Sequence, residues 1–275
     1  MYLGVDIGGT KTLIALFNGN GELKESFKFP TPRIYAQFLN DLATNVAKLS
    51  TQDFQAAGVA VPGRLDREEG RALGYGTLPW GPENIAADIE KFVHCPVIIE
   101  NDAKLAGLAE AIDIKKEFKR TLYVTIGTGI SCALITNGII SPDLQDSEGG
   151  QILVDHQGGS KAWEDVVSGR AIVERFGMRA TDITDDKIWQ TIAHDLSLGI
   201  IDLISVIQPE IIIMGGGVST NFNKFETYLQ KELKKYETPL VPIPPIRQAK
   251  HPEEAVIYGC YQLIKQHHGR LAKKH

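Results

Sequence analysis

Cysteine is scarce in this sequence. Cys95, Cys132 and Cys260 are the three among 275 residues, and no two of them share a paired spacing. That argues against a disulfide framework and a cysteine-based zinc site, and it suits a reducing, cytoplasmic setting. Long apolar runs are also lacking: no stretch approaches the length that crosses a bilayer. The N-terminus enters a strand at once, without a leader's basic and apolar regions. Excess positive charge is missing as well. With 29 Lys and Arg against 34 Asp and Glu, the formal net charge is −5. Nothing electrostatic therefore favours nucleic acid or an anionic membrane as a partner. Basic residues gather only at the end (Lys265, His267, His268, Arg270, Lys273, Lys274, His275), where a frayed, solvated tail is expected. There is no G-x-x-x-x-G-K-[ST] loop and no G-x-G-x-x-G opening a helix after a strand, so two common phosphate-binding motifs are excluded.

What remains is the composition of a globular protein, 43% hydrophobic and 23% charged, long enough for one large domain or two medium ones. Short apolar strands alternate with segments of helical periodicity, such as Tyr35, Phe38, Leu39, Leu42, Val46 and Leu49. This alternation predicts an α/β protein with two sheets. The expected division is an N-terminal domain over 1–110 and a C-terminal domain over 111–250. The boundary falls near residues 103–118, around the polar Lys115-Lys116-Glu117. A final helix over about 252–268 is expected to pack back onto the first domain. Residues 64–82, polar and Gly-rich, are expected to form a binding loop.

The first dozen residues organise the chain. An apolar strand, Tyr2 to Ile7, delivers the carboxylate of Asp6 to the turn Gly8-Gly9-Thr10-Lys11, and Leu13 to Phe17 leads away. Glycines let a backbone approach a ligand closely, and successive N–H groups in such a turn form an anion-binding concavity. A carboxylate beside it can hold a hydrated magnesium ion that bridges phosphates. An ordinary hairpin with a capping Asp is the competing reading. The unit then recurs: strand Thr121 to Ile126, turn Gly127-Thr128-Gly129, apolar run Ile130 to Ile135, and turn Asn137-Gly138. A third strand, Ile211 to Met214, meets Gly215-Gly216-Gly217. That bare backbone can lie against a nucleobase or ribose, or simply allow close packing. Three glycine turns at strand ends point to a nucleotide cleft between two similar halves.

A further buried strand, Val97 to Glu100, runs straight into Asn101-Asp102 and a helix. Either residue suits the helix cap, and a cap also fixes the direction of a carboxylate. Asp6-Ile7-Gly8-Gly9-Thr10-Lys11, Glu100-Asn101-Asp102-Ala103, Gly127-Thr128-Gly129 and Gly215-Gly216-Gly217-Val218 together resemble, in order and spacing, the motifs of the ROK family. The likeness covers about residues 1–262. That family contains bacterial sugar kinases and sugar-responsive repressors.

The resemblance implies two actin/hexokinase-like (ribonuclease H-like) domains, each a mixed β-sheet with flanking helices, with a cleft between them. It also implies ATP-dependent phosphorylation of a glucose-type hexose at the 6-hydroxyl, by a homodimer. Asp102 would be the general base and Asn101 a sugar contact. Asp6 would hold Mg²⁺ through water. Gly8, Gly9, Thr10 and Lys11, with Gly127, Thr128 and Gly129, would cradle the β- and γ-phosphates, and Gly215, Gly216 and Gly217 would border adenosine. Gly63, Glu148, Gln151 and Glu164 would line the sugar site.

The sequence departs from the family in one region. Gln151 replaces the His that binds metal and sugar in zinc-containing members. The segment from His156 to Glu164 lacks the zinc cysteines, so no zinc is expected. Glu164 is otherwise a helix-surface carboxylate, and Trp80 either faces a pyranose ring or packs its loop. N-acetylglucosamine or N-acetylmannosamine as acceptor, polyphosphate as donor, and a non-catalytic sugar sensor are the alternatives. Repressors of the family carry an N-terminal helix-turn-helix segment for which this sequence has no room.

Overall fold

The computed structural model describes residues 1–251 and 254–271. The end of the basic tail and the first two residues of the expected final helix lie outside the described residues. The chain divides into two compact units, Met1–Ala109 with Glu254–His275, and Glu110–Glu253.

The first unit opens with β1 (Tyr2–Ile7), β2 (Lys11–Phe17) and β3 (Leu23–Pro30), followed by α1 (Tyr35–Val46) and β4 (Ala56–Val61). A small hairpin, β5 (Arg64–Asp66) and β6 (Arg71–Gly74), precedes α2 (Ile85–Val93) and β7 (Val97–Asn101), from which α3 (Asp102–Ile112) leads on. The sheet order is β3-β2-β1-β4-β7, antiparallel across β3, β2 and β1 and parallel across β1, β4 and β7. Every residue of β4 is buried, as a parallel strand covered on both faces requires. Phe38, Leu42 and Val46 of α1 join Leu3, Val5, Ile7, Val59 and Val61 in one core. The final helix, Ala255–Leu271, packs against β1 and β4. Gly4 and Gly58 are register neighbours there, and a Cβ on Gly58 would stand 2.6 Å from the Cys260 carbonyl oxygen, so the helix backbone needs that bare surface.

The second unit repeats the plan. It contains β8 (Arg120–Ile126), β9 (Ile130–Thr136), β10 (Ile139–Ile140), a hairpin β11 (Leu153–His156) and β12 (Gly159–Ala162), α4 (Trp163–Val167) and α5 (Gly169–Phe176). Then come α6 (Asp186–Ile207), β13 (Ile211–Gly215), α7 (Gly216–Ser219), α8 (Phe222–Lys234) and β14 (Ile246–Gln248). Its sheet order, β10-β9-β8-β13-β14, has the same antiparallel and parallel pairings as the first.

The structure modifies two expectations and adds one helix. Residues 64–82 are not a free loop: they hold the β5–β6 hairpin and an aromatic cluster. Trp80 is only 7% exposed, with ring centroids 4.7 Å from Phe38 and 4.9 Å from Tyr75, so it packs the loop. α8 is the added helix: Phe222, Phe225, Leu229 and Leu233 recur at helical spacing and are its buried residues. And α6, 22 residues long, is by length and composition apolar enough to span a bilayer, with an 18-residue stretch at a mean hydropathy of 1.3. Trp189, Ile192, Leu196, Ile200 and Leu203 turn its apolar face into the core of the second unit.

Candidate active site

In the first unit, parallel register sets Asp6, Ala60 and Glu100 side by side at the carboxyl ends of β1, β4 and β7. In open α/β sheets ligands bind at those ends. The turn after β1 is held by main-chain and threonine contacts. The Gly8 N–H donates to the Lys11 carbonyl at 3.1 Å, and the Thr31 N–H donates to the Thr10 carbonyl at 3.0 Å. The Thr31 hydroxyl donates to the Gly8 carbonyl at 2.8 Å. A Cβ on Gly9 would lie 2.5 Å from the Thr77 hydroxyl. Gly9, Thr10 and Lys11 are exposed at the tip.

Asp6 is the electrostatic centre of this unit. Burial pushes its carboxyl up to about 7, the Asp102 carboxylate adds to the shift, and Lys28 opposes it. Two carboxylates that resist ionising together fit a divalent cation, which would favour the charged form of both. Asp6 is the residue that could hold such a cation, whose chemistry would be to neutralise phosphate charge. A measurable pH dependence follows for the metal-free protein. Unfolded Asp6 loses its proton near the ordinary carboxyl value of 3.8, whereas folded Asp6 keeps it until about 7. Its contribution to stability is thus complete below about pH 4 and is lost as pH rises through 7. Urea unfolding at pH 5 and pH 8 should show this loss, and Asp6→Asn should flatten it.

Asn101 caps α3. Its Oδ1 accepts from the Ala103 and Lys104 N–H groups at 3.0 and 3.3 Å, and its Nδ2 donates to the Gly63 carbonyl at 3.1 Å. Gly63 sits at φ +103°, where a Cβ would meet the Gly74 carbonyl at 2.1 Å, so only glycine fits. Asp102 opens the helix, its Oδ1 accepting from the Ala103 N–H at 2.8 Å. Sequence reasoning missed Arg67. It donates Nε and an Nη2 to Glu100 at 2.8 and 2.6 Å, and Glu100 also accepts the Asn101 N–H at 2.7 Å. One arginine thus fixes the residue just before Asn101-Asp102. No local signal reveals this, because the partners lie far apart in sequence.

In the second unit, the Gly127 N–H donates to the Gly129 carbonyl at 2.9 Å, and the Gly169 N–H donates to the Gly127 carbonyl at 2.7 Å. A pocket of about 550 Å³ opens beside this turn, lined by Gly127, Thr128, Arg170, Arg179, Gly217 and Val218 among others. That volume suits a nucleoside-sized ligand. Gly217 faces open space, whereas a Cβ on Gly215 would strike the Tyr123 hydroxyl at 2.1 Å. Gly216 is at φ +81° against the Ile126 backbone. The three glycines therefore divide between packing and an open wall. Gln151 and Glu164 meet: Gln151 Nε2 donates to Glu164 Oε1 at 2.7 Å. Glu148 is exposed and lines a different, apolar pocket of about 290 Å³ with Cys132, Ile152 and Leu203.

His156 lies 3.7 Å from the Asp195 carboxylate, which also accepts from Arg175 at 2.8 Å. Among the described residues no three His, Cys, Asp or Glu side chains converge in metal-ligand geometry.

The ROK family profile matches residues 2–267 of this sequence. The chain belongs to the ROK family. Among relatives, an N-acetyl-D-glucosamine kinase of Haemophilus influenzae is 25% identical, over 96% of this chain and 99% of that protein. A putative fructokinase of Bacillus subtilis is 26% identical, over 86% and 84% respectively. A ROK family glucokinase from Streptomyces griseus, solved with glucose and AMPPNP, superposes with a TM-score of 0.80 at 24% identity, covering 96% of this chain and 99% of that one. The two mixed sheets with flanking helices are thus the actin/hexokinase-like fold of ROK sugar kinases.

Proposed function

We propose that this ROK protein is a sugar kinase that transfers the γ-phosphoryl group of ATP to the 6-hydroxyl of a glucose-type hexose. Asp102 orients the hydroxyl and accepts its proton. Asn101, Gly63, Gln151, Glu148 and Glu164 bind the sugar. The turns at 8–11 and 127–129 hold the donor phosphates through backbone N–H groups, and Gly217 borders the nucleoside. Magnesium dependence, homodimeric assembly and a cytoplasmic setting belong to the same proposal.

The observation that carries it is the Asp6–Asp102 pair. Two mutually repelling carboxylates stand at the ends of parallel strands beside a glycine turn, one suited to a cation and the other to a proton. Phosphoryl transfer is catalysed chiefly by positioning and charge neutralisation, with a carboxylate to take the hydroxyl proton. A second reading has its own support: relatives aligned over nearly the full length are N-acetyl-D-glucosamine kinases. On that reading the same residues serve a 2-acetamido sugar.

The test is coupled ADP release with glucose, mannose, fructose, N-acetylglucosamine and N-acetylmannosamine, with polyphosphate replacing ATP in a separate series. Turnover with ATP and glucose is the expected result. Turnover confined to N-acetylglucosamine transfers the assignment to the second reading. Sugar binding without turnover on either donor points to a sensor.

A further inference from the structure

Two separate segments of the second unit, 129–130 and 150–151, converge on one carboxylate. Glu164 Oε2 accepts the Ile130 N–H at 3.2 Å, directly after the Gly127-Thr128-Gly129 turn. Its other oxygen, Oε1, is taken by Gln151 Nε2 at 2.7 Å. Two glycines make room for it. A Cβ on Gly129 would stand 2.5 Å from Glu164 Oε2, and a Cβ on Gly150 would stand 3.0 Å from the same atom.

The carboxylate is also braced from behind. Trp163 is fully buried, its indole N–H donates to the Asp195 carbonyl at 3.0 Å, and its ring packs where a Cβ on Gly199 would be only 2.2 Å away. The main chain that carries Glu164 is therefore anchored to α6, and its side chain reaches the 127–129 turn through the Ile130 N–H.

We propose that Glu164, held in place by Gln151, is a positioning residue for the Gly127-Thr128-Gly129 turn, so that the acceptor-sugar subsite and the donor-phosphate turn share one carboxylate. The consequence for donor binding rests on the functional reading above, while the strut itself does not. A sugar hydroxyl that donates to Glu164 Oε1 enters the same hydrogen-bond set that fixes the Ile130 amide. Sugar and nucleotide binding are thereby coupled within this unit without any larger movement.

The chemistry of the pair supplies a rescue test. Gln151→Glu sets two carboxylates against each other, and their repulsion drives Glu164 off the Ile130 N–H. Adding Glu164→Gln restores the match: the introduced amide oxygen accepts from Ile130 and the amide nitrogen donates to the carboxylate at 151. Two readouts separate the questions. Hydrogen exchange of the amides in segment 127–131, on the full chain without ligand, should accelerate in Q151E and return to the wild-type rate in Q151E/E164Q. Titration with magnesium AMPPNP in the absence of sugar should show about tenfold weaker binding for Q151E, the scale of one charge-assisted hydrogen bond, and recovery to within about threefold in the double variant.

Unchanged exchange in Q151E, or a double variant no better protected than Q151E, overturns the strut. Normal exchange behaviour with nucleotide affinity indifferent to Q151E overturns its role in positioning the donor turn. A wild-type chain that binds no AMPPNP at all refutes the ATP-dependent reading instead, and the exchange data still decide the strut.

Discussion

Asp102→Asn is expected to lower kcat for sugar phosphorylation by about two to four orders of magnitude, the usual worth of a positioned general base. A sugar hydroxyl is a weak nucleophile, and the amide that replaces the carboxylate cannot take its proton. The substitution is nearly isosteric, so folding should survive. The cap of α3 comes from Asn101, whose Oδ1 meets the Ala103 and Lys104 N–H groups, and an amide oxygen at 102 can still accept from Ala103. The KM for sugar should therefore move by no more than a few fold. A second readout comes from Asp6, whose carboxyl is raised to about 7 partly by Asp102. Removing that charge should lower the Asp6 pKa, which shrinks the stability lost on raising the pH of the metal-free protein. Full activity in the variant would show that the base lies elsewhere. A large rise in sugar KM at unchanged kcat would make Asp102 a binding residue only.

The glycine turns were legible in the sequence because their signal is local. A strand, a Gly/Thr turn and a second strand at 2–17 recur at 121–135, and both copies fold as antiparallel pairs at equivalent places in two sheets of one order. Asn101-Asp102 was legible for the same reason, since a buried strand that runs directly into a cap leaves few options for either side chain. The bracing of these motifs was not. Thr31 pins the first turn, Arg67 pins Glu100 across 33 positions, and Trp163 is seated by α6 through Asp195 and Gly199. Each partner is an ordinary residue whose role arises only when the chain brings it back. Trp80 shows the converse. Its sequence context left a sugar-facing and a packing role open, and three neighbouring rings decide for packing.

This difference between local and returning contacts also bears on the acceptor. The two glycine turns are built from main-chain groups that, on the proposed function, any nucleotide phosphate could use. Gln151 and Glu164, by contrast, are side chains already engaged with each other. On the proposed function, sugar specificity would depend on how far that pair yields to incoming hydroxyls, and a family motif alone does not encode this.

Arg67→Met carries the largest expected effect on stability. Glu100 is 5% exposed and its carboxylate is held by two guanidinium contacts at 2.8 and 2.6 Å, in a pair whose arginine side chain is itself only 19% exposed. Removing the arginine leaves a buried carboxylate facing little more than the Asn101 N–H. Breaking such a pair on one side typically costs about 3–5 kcal/mol. With roughly 2–4 °C per kcal/mol for chains of this size class, the melting temperature should fall by on the order of 10 °C. Replacing both partners, R67M/E100M, should recover most of that loss, because two apolar side chains avoid the desolvation that the lone charge suffers. Function should respond differently. Glu100 orients Asn101 through the backbone, and Asn101 ties Gly63 to the helix cap. The double variant should therefore regain stability while its sugar KM stays raised. A single variant as stable as wild type would remove Arg67 from this role, and a double variant with wild-type KM would show that the ion pair stabilises the unit without orienting its sugar-facing residues.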